Sequence, residues 1–170
     1  MKLFILIFLV LTLNVSGQVN SICECQGFVD LSYKGFILLL DKPNGKEINR
    51  LRHNFKTEDF LVFDIDSVIG NYFHVKLQHS VIGIPNEGWV FKSKQLMTFV
   101  KNYSSSIQLY SKPNKSSNIR ATISKNLSNT YQIIDCKQKW LKIKGINPQS
   151  KTEGWLKSTD QCANPYTSCS

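Results

Sequence analysis

Residues 33–161 predict an all-β chain made of two small consecutive barrels, and three observations carry that expectation. Apolar residues, mostly β-branched or aromatic, come in runs of four to six with Gly, Pro, Asn or Ser clusters between them. Leu141-Lys142-Ile143-Lys144 alternates with period two, as a strand wet on one face does. The chain also resembles itself at an offset that drifts from 70 to 66 residues. No window of ten or more residues combines a 3.6-residue apolar period with caps, so helix should amount to a single turn at most.

The repeated blocks define the expected strands in order. Leu39-Leu40-Asp41-Lys42-Pro43-Asn44 returns as Leu109-Tyr110-Ser111-Lys112-Pro113-Asn114, and Phe60-Leu61-Val62-Phe63-Asp64 as Tyr131-Gln132-Ile133-Ile134-Asp135. Tyr72-Phe73-His74-Val75-Lys76 returns as Lys139-Trp140-Leu141-Lys142-Ile143, and Gly88-Trp89-Val90 as Gly154-Trp155-Leu156. Loop insertions between fixed strands account for the drift. The polar run Lys101 to Ser106 divides a first unit, 33–103, from a second, 104–161. Trp89 and Trp155, at matching places, are expected in the core.

Ahead of the repeats, Met1-Lys2, the apolar stretch Leu3 to Leu13 and the small Val15-Ser16-Gly17 predict an export signal over 1–17, cut before Gln18. A membrane span needs about 20 residues, so this stretch leaves no transmembrane anchor after cleavage, and the mature chain is expected to be secreted or periplasmic. A lead segment, 18–32, carries Cys23 and Cys25; a tail, 162–170, is flanked by Cys162 and Cys169. With Cys136 these are the disulfide candidates, because an oxidising compartment favours bridges over free thiols. The Pro-containing tail needs a tether, which the expected pairing supplies by joining Cys162 or Cys169 to Cys136 or to the Cys23/Cys25 pair. A four-thiolate zinc site from Cys23, Cys25, Cys162 and Cys169 is the competing use, disfavoured by a one-residue gap where structural zinc sites space ligands by about two to four.

The order of the blocks resembles the bacterial SH3-like domains of exported proteins. Each unit opens on an apolar strand, a variable loop and an Asn-x-Arg neighbourhood: Pro43-Asn44-Gly45 with Asn49-Arg50-Leu51-Arg52, then Pro113-Asn114 with Asn118-Ile119-Arg120. Each closes on Gly-Trp-Val/Leu, at Gly88-Trp89-Val90 and Gly154-Trp155-Leu156. The resemblance implies two tandem SH3-like barrels over roughly 33–161 with the disulfide-tethered tail outside the generic domain, and binding of cell-wall peptides or other extracellular ligands.

Catalytic patterns are scarce. His53, His74 and His79 form no His-x-x-x-His or His-x-His pair, and the spacing of five puts His74 and His79 on opposite faces of a straight strand. Asp64 and Asp66 share a strand face as a carboxylate pair would, but they lead into a turn at Gly70-Asn71 and are better explained as loop-forming or solvated. A Gly-rich phosphate loop, Gly-x-Ser-x-Gly and His-Glu-x-x-His are all missing. No enzyme activity and no cofactor or metal is expected.

Charge is uneven. Residues 26–103 hold ten Lys/Arg against eight Asp/Glu, whereas residues 104–158 hold ten against two. Lys142 and Lys144 share a face near Trp140, a combination that suits an anionic envelope polymer, though solubility is the plainer account. Tyr33, Phe36, Tyr110 and Tyr166 are the aromatic candidates for a groove between loops. The ligand-binding set is therefore Tyr33, Phe36, Tyr110, Trp140, Lys142, Lys144 and Tyr166. The expected function is a non-enzymatic exported module that recognises a cell-envelope polymer or peptide, not nucleic acid. The competing reading is an inhibitor or immunity-type protein that blocks a secreted hydrolase or toxin, for which the insertion Gln78 to Asn86 with Val81-Ile82-Gly83-Ile84-Pro85 is suited.

Overall fold

The computed structural model describes residues 21–81, 83–101, 105–124, 130–146 and 152–166. The export signal and Cys169 lie outside them, as do three residues of the expected linker. The described residues form thirteen strands and a single 3-10 turn, so the expected all-β class holds. In chain order these are β1 (Ser21–Val29), β2 (Ile37–Leu40), β3 (Glu47–Leu51), β4 (Leu61–Ile69), β5 (Tyr72–His79), β6 (Asn86–Phe91) and β7 (Leu96–Val100). There follow β8 (Ile107–Tyr110), β9 (Ile119–Ile123), β10 (Thr130–Lys137), β11 (Trp140–Gly145), β12 (Glu153–Leu156), the 3-10 turn Ser158–Asp160 and β13 (Gln161–Cys162).

Pairing joins the strands into one path, β3-β2-β6-β5-β4-β1-β7-β10-β11-β12-β8-β9, with β13 added on β7. The path does not close on itself; β3 and β9 are its ends. It is nearly palindromic. The order β4-β5-β6-β2-β3 on one side returns as β10-β11-β12-β8-β9 on the other, with β1 and β7 between them. Register repeats as well. A bulge lies between Ile65 and Ser67 of β4 and another between Ile133 and Asp135 of β10, while Leu39/Leu40 and Leu109/Tyr110 carry the matching irregularity against β3 and β9.

Strand β7 works for both halves. It pairs β1 through Phe28↔Met97 and Val29↔Leu96, and β13 pairs it in the same manner through Cys162↔Phe99 and Gln161↔Val100. It also pairs β10 as β1 pairs β4. One strand thus ends the first run of pairings and begins the second. Phe28 and Phe99, at corresponding places on β1 and β7, stack with centroids 4.5 Å apart.

These registers move two of the sequence equivalences. Tyr72 opposes Ile69 as Trp140 opposes Lys137, so Tyr72 corresponds to Trp140 rather than to Lys139. Phe63 opposes Leu77 as Tyr131 opposes Gly145, so Tyr131 corresponds to Phe63 rather than to Phe60. Phe60 to Phe63 is apolar throughout, so side-chain alternation alone leaves the register of that strand open. Asp135 accordingly matches Ser67, not Asp64.

The recurrent Gly-Trp has a packing cause. Leu40 faces Trp89 and Tyr110 faces Trp155, each the one residue pair that joins β2 to β6 or β8 to β12. A Cβ on Gly88 would lie 3.1 Å from the Leu40 carbonyl oxygen, and one on Gly154 would lie 2.8 Å from Leu109 Cβ. The crossing strand comes too close for a larger residue. Trp89 is not in the core as expected: alternation points Gly88 and Val90 inward and Trp89 outward, half-buried and edge-on to His74 at 5.0 Å. Trp155 is buried.

The cysteines pair differently from expectation. Cys23 of β1 bonds Cys136 of β10, linking positions 113 residues apart. Cys136 therefore does not hold the tail, and a Cys23 sulfur already in a disulfide is no zinc thiolate. Cys162 is disulfide-bonded too, and Cys25 is the free cysteine among the described residues, buried beside the first bridge. Cys23 and Cys25 are both buried on one face of β1, so the local sequence fits either as Cys136's partner.

Candidate functional site

Two open cavities flank the tail. The first is a groove of ≈ 530 Å³ whose floor is the outer face of β1 and β4 and whose wall is the segment 161–166. Gln26 stands directly across the ladder from Asp64 and donates Nε2–H to Asp64 Oδ1 at 2.7 Å. Lys101, just past β7, lines the same groove and is exposed. Neither Asp64 nor Lys101 has an ion-pair partner among the described residues.

The wall is pinned along its length. Pairing of β13 with β7 starts it, aided by Thr98 Oγ1 donating to the Cys162 carbonyl at 3.1 Å and by Lys101 N–H donating to Asp160 O at 2.9 Å. Gln161 Nε2 donates to Lys139 O at 2.9 Å. The chain then turns, with Asn164 Oδ1 accepting the Tyr166 N–H at 2.9 Å. Tyr166 completes the attachment: its hydroxyl donates to Glu58 O at 2.7 Å, accepts from Phe60 N–H at 3.1 Å and lies 2.6 Å from Ser80 Oγ. Its ring packs on Phe60 at 5.7 Å. The tail thus crosses from the second half of the chain to the first.

The sequence-predicted site residues fall into four places. Tyr33 and Phe36 lie together in the connection from β1 to β2, with the Tyr33 hydroxyl 3.4 Å from Phe36 O and the guanidinium groups of Arg50 and Arg52 5.7 and 5.1 Å from the Phe36 ring centroid. Tyr110 and Trp140 meet edge to face at 5.5 Å, but Tyr110 is buried. Lys142 and Lys144 share the outer face of β11. Tyr166 stands apart from all of these, on the groove wall.

The basic face of β11 is neutralised in part, at Lys142. Lys142 Nζ lies 3.0 Å from Glu153 Oε1, and Arg120 reaches the same carboxylate at 3.8 Å. The Lys142 hydrogen bond holds the Glu153 carboxyl below its ordinary range against the opposing effect of burial. Lys139 pairs with Glu24 and Lys157 with Asp160. Local counting of charge along the chain missed these partners because Glu24, Glu153 and Asp160 come from three separate elements.

One constellation escaped the sequence reading. His74 Nδ1 lies 2.9 Å from both oxygens of Asp66, and Ser67 Oγ donates to Asp66 Oδ1 at 3.0 Å. The carboxylate sits between the serine and the imidazole. A nucleophilic serine needs the imidazole as its own hydrogen-bond acceptor, and here the carboxylate takes that proton instead. Trp89 against the far side of His74 gives the group a packing role.

No protein-family model matches the chain, and no curated protein does. A solved structure of NlpC2 from Trichomonas vaginalis is similar to 88% of the chain at 13% identity, with a TM-score of 0.35; the chain spans about half, 50%, of that protein's chain.

Proposed function

We propose that the chain is a non-enzymatic exported binding module that holds an extended peptide, of the kind carried by cell-wall glycan, in the groove between β1, β4 and the tail. The supporting observation is that Asp64 and Lys101 line one groove with no ion-pair partner for either among the described residues. A short peptide with a free amine and a free carboxylate meets both. Gln26, Gln78 and Asn164 offer amides to its backbone, and the Tyr166 ring supplies an apolar surface whose hydroxyl is already satisfied. The anchored wall needs no ordering at the moment of binding, which keeps the entropic cost of association low.

The test is sedimentation of the mature chain with purified peptidoglycan. Binding should be lost in Lys101→Glu and Asp64→Lys, and retained in Lys144→Gln on β11. Failure of the unmodified chain to sediment would overturn the proposal. An inhibitor function is the second reading, favoured by the loop after β5, where Val81 and Ile84 are 64% and 85% exposed. It predicts instead a stoichiometric complex with one secreted protein, abolished by Val81→Ser/Ile84→Ser and indifferent to Lys101→Glu.

A further inference from the structure

Beyond the Phe60–Tyr166 contact lies the second cavity, ≈ 570 Å³, bordered by Lys34, Arg52, Phe55, Lys56 and the two histidines His53 and His79. We infer that this cavity binds a phosphate group, free or as part of a phosphate-bearing polymer. Lys34, Arg52 and Lys56 are exposed, and none has a carboxylate partner among the described residues. The one carboxylate that lines the cavity, Asp59, is already used: it accepts from Ser80 Oγ at 3.1 Å and Val81 N–H at 2.9 Å, with His79 Nδ1 at 3.8 Å. Most of the net charge falls in residues 104–158, yet these three exposed cations without a carboxylate partner gather around one cavity in the other half.

The frame that presents them is closed. Asn54 and Asp59 exchange two backbone hydrogen bonds of 3.0 Å each, and Asn54 Oδ1 accepts the Lys56 N–H at 3.2 Å, so Phe55 and Lys56 ride on a fixed loop. Beneath the loop, buried His53 accepts from Leu61 N–H at 3.0 Å through Nδ1 and bonds Asp30 O at 2.9 Å through Nε2. Phe55 packs edge-on against that ring at 5.5 Å and against Phe60 at 6.3 Å. Arg52 is steadied over the Phe36 ring at 5.1 Å. A guanidinium fork beside two ammonium groups matches the bidentate geometry of a phosphate, and the double charge of a free or terminal one, better than it matches a single carboxylate. Nothing in this assignment depends on the peptide groove, because no cation is shared between the two cavities.

The experiment is calorimetric titration of the mature oxidised chain with inorganic pyrophosphate and, separately, with poly(glycerol phosphate), at 50 mM and 200 mM salt as round conditions spanning strong and weak screening. Saturable binding of at least one probe is expected, weaker at the higher salt, and reduced tenfold or more in Arg52→Gln/Lys56→Gln. Since the Arg52 change also removes the Phe36 contact, Lys34→Gln/Lys56→Gln should show a loss in the same sense with an unaltered melting temperature. Lys144→Gln should bind as the unmodified chain does. Absence of saturable binding to both probes, or an equal loss in Lys144→Gln, would overturn the assignment. The relative affinity of the two probes tells a free phosphate from a diester, and sedimentation of Arg52→Gln/Lys56→Gln with peptidoglycan separates this site from the groove.

Discussion

Lys92 Nζ lies 2.9 Å from Asp135 Oδ1, so the residue that follows β6 is tied to β10 across the centre of the sheet. The ammonium also sits 4.9 Å from the Phe73 ring centroid, and its side chain is only 15% exposed. A cation so withdrawn from water depends on its partner more than a surface lysine does.

Asp135→Asn should therefore cost about 1–2 kcal/mol, the range for losing a partly buried charge partner while keeping an acceptor. Lys92→Met should cost less than the sum expected from independent sites when combined with it. Chemical denaturation of the two single variants and the double variant measures the coupling. Strict additivity would mean that the contact contributes nothing.

The bridge from Cys23 to Cys136 encloses a stretch of 113 residues, and loop-closure entropy assigns such a cross-link about 4–5 kcal/mol. Cys23→Ser/Cys136→Ser should lower the denaturant midpoint accordingly. Cys25 beside the bridge is different: burial pushes its thiol up to about 12, so almost no thiolate exists at neutral pH. Iodoacetamide at pH 8 should leave Cys25 unmodified in the native protein and label it in denaturant, as read by peptide mass mapping. Fast labelling without denaturant would contradict the burial.

His53 gives the fold a pH dependence of predictable sign. Burial lowers its pKa, outweighing the Asp30 carbonyl that favours the charged ring, and repulsion from His79 adds to the lowering. The unfolded chain then binds a proton more readily than the folded one. The contribution is fully present above the ordinary histidine range, about 6.5, and falls away as the pH drops toward the lower folded value. Unfolding midpoints measured between pH 7 and pH 5 should fall more steeply for the unmodified chain than for His53→Gln. Parallel slopes would remove His53 as the cause.

The strands were legible because their evidence is local: period-two alternation at Leu141 to Lys144 and the Gly-Trp pairs are visible in a few residues. The link between halves was not. Ser21–Val29 contains two cysteines and alternating burial, but nothing in it reveals that it pairs both β4 and β7, and the dual role of β7 is a property of register. The candidate site suffered for the same reason. Gln26 and Lys101 are unremarkable polar residues until the sheet gathers them with Asp64, whereas Lys142 and Lys144, conspicuous in the chain, lie on a face where Glu153 takes up Lys142. Tyr166 and Phe36 each proved to border a cavity or a cation cluster.

The two Gly-Trp glycines offer a graded test of how tightly the crossing strands are packed. At Gly88 an added methyl would meet the Leu40 carbonyl oxygen at 3.1 Å and Leu39 Cβ at 3.2 Å, so a shift of a few tenths of an ångström relieves it. At Gly154 it would meet Leu109 Cβ at 2.8 Å and the Tyr110 carbonyl oxygen at 3.1 Å, both on one strand whose Leu109 is fully buried. Overpacking of this kind costs about 1–3 kcal/mol, and the tighter site should lie at the upper end. Gly154→Ala should accordingly lower the melting temperature more than Gly88→Ala. Because Tyr110 is the residue through which β8 joins β12, the same change should loosen its edge contact with Trp140 and alter the Trp fluorescence of the folded protein. Equal costs at the two glycines would mean that β8 and β2 sit at the same distance from their neighbours, contrary to the geometry described.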